Sequence, residues 1–165
     1  MINKRVLAAG ILAVVLAATL TLVSVAARAT SDRPAVDVRG GGTSMVAGGT
    51  GAPDFTPVIT KVAFHWKQGE GRFECLALAP SHAAGSPGSG NFDTNAMYVT
   101  GEINSASVAG STVVLKGSAT VTGLGAGSNR PFTLTAGRGG PGTRLVLEVS
   151  GLTFDETLLE GQIRF

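Results

Sequence analysis

From Thr60 onward, apolar and polar side chains alternate with a period of two, the pattern of strands that turn one face to a core and the other to water. Residues 61–67 set Val62, Phe64 and Trp66 against Lys61, Ala63, His65 and Lys67, and residues 72–79 set Phe73, Cys75 and Ala77 against Arg72, Glu74 and Leu76. Gln68-Gly69-Glu70-Gly71 reads as the hairpin loop between them. Placing Lys67 opposite Arg72 puts Trp66 across from Phe73, His65 from Glu74 and Phe64 from Cys75, with Cys75 facing the core.

The same alternation recurs at Met97, Val99, Gly101 and Ile103; at Val113, Leu115, Gly117, Ala119 and Val121; at Phe132 and Leu134; at Leu145, Leu147 and Val149; and at Leu159, Gly161, Ile163 and Phe165. Intervening positions such as Thr112, Lys116, Ser118, Thr120 and Thr122 are polar, so one face is wet. Turn clusters at 123–129 and 137–142 separate the strands, and residues 80–94 form a long loop. No capped helical stripe follows the N-terminal segment, which excludes βαβ folds and their nucleotide loops. Seven to eight such strands enclose a core as a single antiparallel β-barrel or a β-sandwich. The glycines Gly101, Gly117 and Gly161 on inward positions favour the barrel, because they relieve crowding where a sheet coils.

The N-terminus has a different character. Lys4 and Arg5 precede an uncharged run over residues 6–27, which ends in Ala27-Arg28-Ala29. Basic start, apolar stretch and small-residue triplet are the parts of a secretory signal peptide. Residues 1–29 are therefore expected to form a signal helix, cleaved or retained as an anchor, and to send the chain to the cell surface, the periplasm or the outside. Residues 30–57, rich in Gly, Ser, Thr and Ala, read mostly as a linker, with one short extended stretch, Val36 to Arg39 or a little beyond, as a candidate edge strand joining the sheet. Residues 58–165 read as the β-domain.

Export changes the charge balance. The 165-residue chain carries 13 Lys and Arg against 11 Asp and Glu, but Lys4, Arg5 and Arg28 leave with the signal. What remains is near neutral, which excludes nucleic acid as the expected partner and confines membrane contact to the signal segment if it is uncleaved. The partner expected is a protein or a small molecule. The single cysteine, Cys75, cannot form an intramolecular disulfide, and its core-facing position makes it an inert thiol.

Chemistry-bearing residues are sparse. His65 reads as a solvated strand residue paired with Glu74. His82, in Pro80-Ser81-His82 on the long loop, is a candidate catalytic base with Asp93 or Asp155, the set a small barrel hydrolase or isomerase would need. Asp54, Asp93, Asp155 and Glu156 read as loop acids. Asn91, Asp93 and Asn95 alternate as calcium-loop oxygens do, but without the sixth-position glycine and the terminal glutamate they read as an Asx turn. No cofactor is indicated. A lipocalin-like carrier of an apolar ligand is a further reading, opposed by enough interior Leu, Val and Phe to fill a small barrel.

Three stretches, Gly40-Gly41-Gly42-Thr43, Tyr98-Val99-Thr100-Gly101-Glu102-Ile103 and Leu159-Glu160-Gly161-Gln162-Ile163, together resemble the β-rich domains of bacterial exported and surface proteins that accompany choice-of-anchor modules. The resemblance spans about residues 37–165. It implies an exported β-domain and transfers no functional residue; the export signal, the period-two pattern and the lack of a converging catalytic set point to a non-catalytic binding or structural role.

Overall fold

The structure, a computed structural model, describes residues 36–52 and 57–165. The segment read as a signal peptide and the candidate acid Asp54 lie outside the described residues. Eight strands follow one another: β1 (Val38–Gly48), β2 (Ile59–Lys67), β3 (Glu70–Pro80), β4 (Phe92–Ala109), β5 (Thr112–Gly123), β6 (Gly127–Gly137), β7 (Arg144–Val149) and β8 (Leu152–Arg164). Each pairs antiparallel with the next, and β8 returns to β1, closing the barrel. Closure removes both sheet edges and their unpaired backbone groups.

The period-two pattern places the core as expected. Val62, Phe64, Phe73, Cys75, Met97, Val99, Ile103, Val113, Leu115, Ala119, Val121, Phe132, Leu134, Leu145, Leu147 and Val149 are all buried. Lys61, His65, Glu74, Glu102, Lys116 and Glu148 face out. Apolar-in and polar-out is the reverse of the pattern on a membrane-spanning barrel, whose outer band must be apolar.

Glycines and phenylalanines pair across strands on the inner face. Gly40 pairs with Phe64, Phe73 with Gly101, and Gly117 with Phe132. A Cβ on Gly40 would sit 2.3 Å from Phe64 Cζ, and one on Gly117 would lie 2.8 Å from Phe132 Cε1. At Gly40 and Gly117 the ring of the cross-strand neighbour occupies the space the glycine leaves, whereas a Cβ on Gly101 would meet Ser118 and Ala119; large against small fits a small barrel. Phe73 and Phe132 stack across the interior with centroids 4.9 Å apart.

Three expectations change. The stretch read as linker, 30–57, contains β1, so the barrel begins at Val38 and not at residue 58. Its glycines disguised it: Gly40, Gly41 and Gly42 break the apolar alternation, yet all three lie in register between β2 and β8. The hairpin loop between β2 and β3 is Gln68-Gly69 alone, both with positive φ (55° and 93°), as two-residue hairpin turns require. Lys67 therefore faces Glu70, which moves the register by two: Phe64 opposes Phe73, Val62 opposes Cys75, and His65 opposes Arg72 instead of Glu74. A shift of two preserves the faces, so the core assignment survives the error. Finally, Leu159 is exposed (47%) while Leu158 is buried (1%). Thr43 pairs with Glu160 and Ser44 with Leu158, leaving Leu159 as an extra bulged residue.

The segment after β6 packs against the end of β8. Gly139 bonds with Ile163 in both directions, and the Arg138 guanidinium stands 4.5 Å over the Phe165 ring. Near the other end, Gly51 donates its N–H to Thr153 O, and a Cβ on it would meet the Phe154 ring at 2.2 Å.

Candidate functional site

The alternation along β8 puts Phe154, Glu156 and Leu158 on the inner face and Asp155 and Thr157 on the outer one. Glu156 is thus a strand residue turned inward, not the loop acid expected from sequence, and only 3% of its surface is exposed. It lies across from Val46 on β1 and Leu145 on β7. Ser44 on β1 and Thr60 on β2 pair with each other and are also buried. Their hydroxyls meet the carboxyl at a single atom: Ser44 Oγ lies 2.5 Å from Glu156 Oε2, Thr60 Oγ1 also bonds Oε2, and the two hydroxyl oxygens are 2.5 Å apart. These three are the only buried polar or charged residues among the described residues.

Burial pushes the Glu156 carboxyl above its ordinary range; the hydrogen bonds from Ser44 and Thr60 oppose the rise, and the neighbouring Asp155 charge adds to it. Cys75, inward on β3, is raised well above the ordinary thiol value, first by burial and then by the Glu156 charge. Cys75 is therefore a protonated, inert thiol, as its core-facing position implies.

The acids and histidines singled out from sequence lie elsewhere. His82 sits exposed on the loop between β3 and β4, its Nδ1 2.9 Å from Ser81 Oγ and its ring beside Gly88. Asp93 is exposed at the start of β4. Asp155 stands on the outer face of β8 in a bidentate pair with Arg144, both contacts 2.7 Å, and this pair holds its carboxyl below the usual range. Around the closed barrel β8 is separated from β3 by two strands one way and four the other, and from β4 by three strands either way. The structure brings none of the three into hydrogen-bond or ion-pair contact with another.

Asn91 precedes β4, while Asp93 and Asn95 are part of it. Alternate residues of an extended strand advance about 6.8 Å, so these oxygens run along a line and do not wrap around one ion. Among the described residues, no three His, Cys, Asp or Glu side chains gather as a metal site would need.

On the outer wall a depression of about 390 Å³ is lined by His65, Glu70, Arg72, Glu102 and Asn104. It collects the charged tips of β2, β3 and β4. A second, beside it, shares Arg72 and Glu102 and reaches Asn129. Neither contains a short ion pair; among the described residues those are Arg39 with Asp37 and Arg144 with Asp155.

The buried Glu156 cluster was missed because alternation assigns β8 from apolar residues alone. The signal that finds it is Phe154-x-Glu156-x-Leu158, an acid occupying a core position of an otherwise apolar series. Comparison with protein-family models, with curated proteins and with solved structures finds no match for this chain.

Proposed function

We propose that this chain is an exported bacterial β-domain with a non-catalytic binding or structural role at the cell surface or outside the cell. The observation that carries the reading is the allocation of the barrel interior. Its inward positions are spent on packed side chains, and its one polar group is satisfied by its own neighbours. An interior filled in this way leaves recognition to the outer wall and the end loops. It also argues against the lipocalin-like carrier. The enzyme reading loses support because His82, Asp93 and Asp155 stand apart. Export is supported by Lys4, Arg5, the uncharged run and Ala27-Arg28-Ala29, and by the resemblance of the three glycine-containing stretches to exported β-domains.

The test is native and denaturing mass spectrometry of protein recovered from its own export compartment, before and after chelation. A denatured mass matching residues 30–165, with a native mass equal to it or to a complex with another protein, supports the reading. A small molecule retained in the native mass would replace it with a carrier, and recovery of the chain only from the cytoplasm would overturn export.

A further inference from the structure

We infer that Glu156 is stored inside the barrel as a neutral carboxylic acid, its proton completing a ring of three hydrogen bonds with Ser44 and Thr60, so that acidification tightens the seam between β1 and β8 and alkalinisation loosens it. The inference is independent of the binding role proposed above.

It rests on counting hydrogens. Three oxygens, Ser44 Oγ, Thr60 Oγ1 and Glu156 Oε2, are in mutual hydrogen-bond contact, which makes three edges. Each hydroxyl supplies one hydrogen. Two hydrogens serve two edges, and an oxygen pair at this separation with no hydrogen between them repels. The third hydrogen has to come from the carboxyl. The closed circuit runs from one hydroxyl to the other, from there to the carboxyl oxygen, and back through the carboxyl proton.

Beyond the two hydroxyls, the surroundings offer an ionised carboxylate no compensating charge. β1 contributes Ser44 and the half-buried Val46, β2 contributes Thr60 and Val62, and Val58 lies just before β2. β3 turns in Cys75, itself a protonated thiol, and β7 turns in Leu145 and Leu147. On β8 the flanking inward residues are Phe154 and Leu158. Asp155 is on the opposite face, already paired with Arg144. No Lys, Arg or His is buried among the described residues. A charge in such a site is uncompensated, and proteins meet that situation by keeping the group neutral.

The position of the ring gives it leverage. The β1–β8 register shifts between Thr43 and Ser44 and again between Val46 and Gly48, and Glu156 pairs between those two breaks. Through Oε2 it ties β8 to β1 and to β2 at the point where ladder bonding is interrupted. Losing the proton removes one edge and sets a charge in the core at the same place.

The sign follows from linkage. A carboxyl raised in the folded state is protonated there while its unfolded counterpart has ionised, so its contribution is complete below the ordinary carboxyl range. That contribution is lost as pH rises from that range to the folded value. Within the window the folding equilibrium of the native protein should fall by up to about tenfold per pH unit.

The experiment pairs urea unfolding of the full chain and of Glu156→Gln across about pH 4 to pH 9 with a titration of the native chain carrying ¹³C-labelled glutamate. One of the six Glu carboxyl signals should titrate above the other five, and the downward slope in stability should be present in the native chain and absent from Glu156→Gln. Six signals titrating together in the ordinary range would overturn the inference, as would parallel stability curves for the two proteins. Should Glu156→Gln fail to fold, the titration of the native chain decides alone.

Discussion

The paired hairpins of β6, β7 and β8 and the seam between β1 and β8 belong to one barrel, yet they hold register by different means. In the hairpins the ladders run without a break, from Phe132 opposite Val149 to Ala136 opposite Leu145, and from Arg144 opposite Thr157 to Val149 opposite Leu152. A two-residue turn, Ser150-Gly151, joins β7 to β8, and inward Leu, Val and Phe fill the space between. The seam has neither a connecting turn nor an unbroken ladder. Ser44 and Glu156 are 112 positions apart, so no turn sets their alignment, and the cost of bringing them together must be met by contacts. The seam has two bulges, glycines at the closest backbone approach and a buried acid held by two hydroxyls. Local connectivity can fix register cheaply, whereas a closure between distant strands relies on features that fit only one alignment.

The largest expected effects come from emptying the core, at Leu134 in the regular hairpins and at Leu158 on the seam, where it pairs with Ser44. Leu134→Ala and Leu158→Ala each remove a fully buried side chain and should cost about 2–5 kcal/mol, measured by urea unfolding. At the seam, Gly161 has φ of 111°, and a Cβ there would lie 2.1 Å from Gly41 O. Gly161→Ala should therefore cost at least about 2 kcal/mol while filling no cavity. If it proves neutral, the close approach of β1 and β8 is not what aligns them.

A chemical probe separates core from surface. Cys75 is buried and its thiol raised, so alkylation of the native protein should run at least about a thousandfold slower than in denaturant, since it must await opening of a domain stable by about 5 kcal/mol or more. Rapid labelling would mean that the wall between β2 and β4 opens far more readily than its packing implies. The smallest effect is expected at Leu159, next to the critical Leu158: Leu159→Ser should change stability by less than about 0.5 kcal/mol. A loss as large as that of Leu158→Ala would reverse the bulge assignment.

Much of this architecture is legible in the residues themselves. Period two identified β2 to β7 and most of their inward positions, because alternation depends on local sequence and survives a register error of two, as at Phe64 and Phe73; of β8 it identified only the end, leaving out the inward Phe154, Glu156 and Leu158. Inward Gly101 and Gly117 pointed to a barrel over a sandwich, and each is now seen to lie beside a phenylalanine. Features set by distant partners were hidden. β1 looked like linker because Gly40, Gly41 and Gly42 carry no side-chain signal; their role appears only when Phe64 and Gly161 lie against them. The bulge at Leu159 shows in the sequence only as the adjacent Leu158-Leu159, where the apolar alternation changes phase, and the pair alone does not say which leucine faces in. Glu156 passed as a loop acid because a core carboxyl makes sense only once Ser44 and Thr60, from the strand read as linker and from the first residue of the clear pattern, are placed beside it.

The account turns on β1 and β8 closing the barrel in the register described. Nuclear Overhauser contacts across the seam test this directly. The register predicts a close Hα contact between Gly42 and Gly161, with Thr43 adjacent to Glu160 and Ser44 to Leu158. Contacts from β1 to β2 alone, with none to β8, would show an open sheet and contradict both the closed barrel and the ring of Ser44, Thr60 and Glu156.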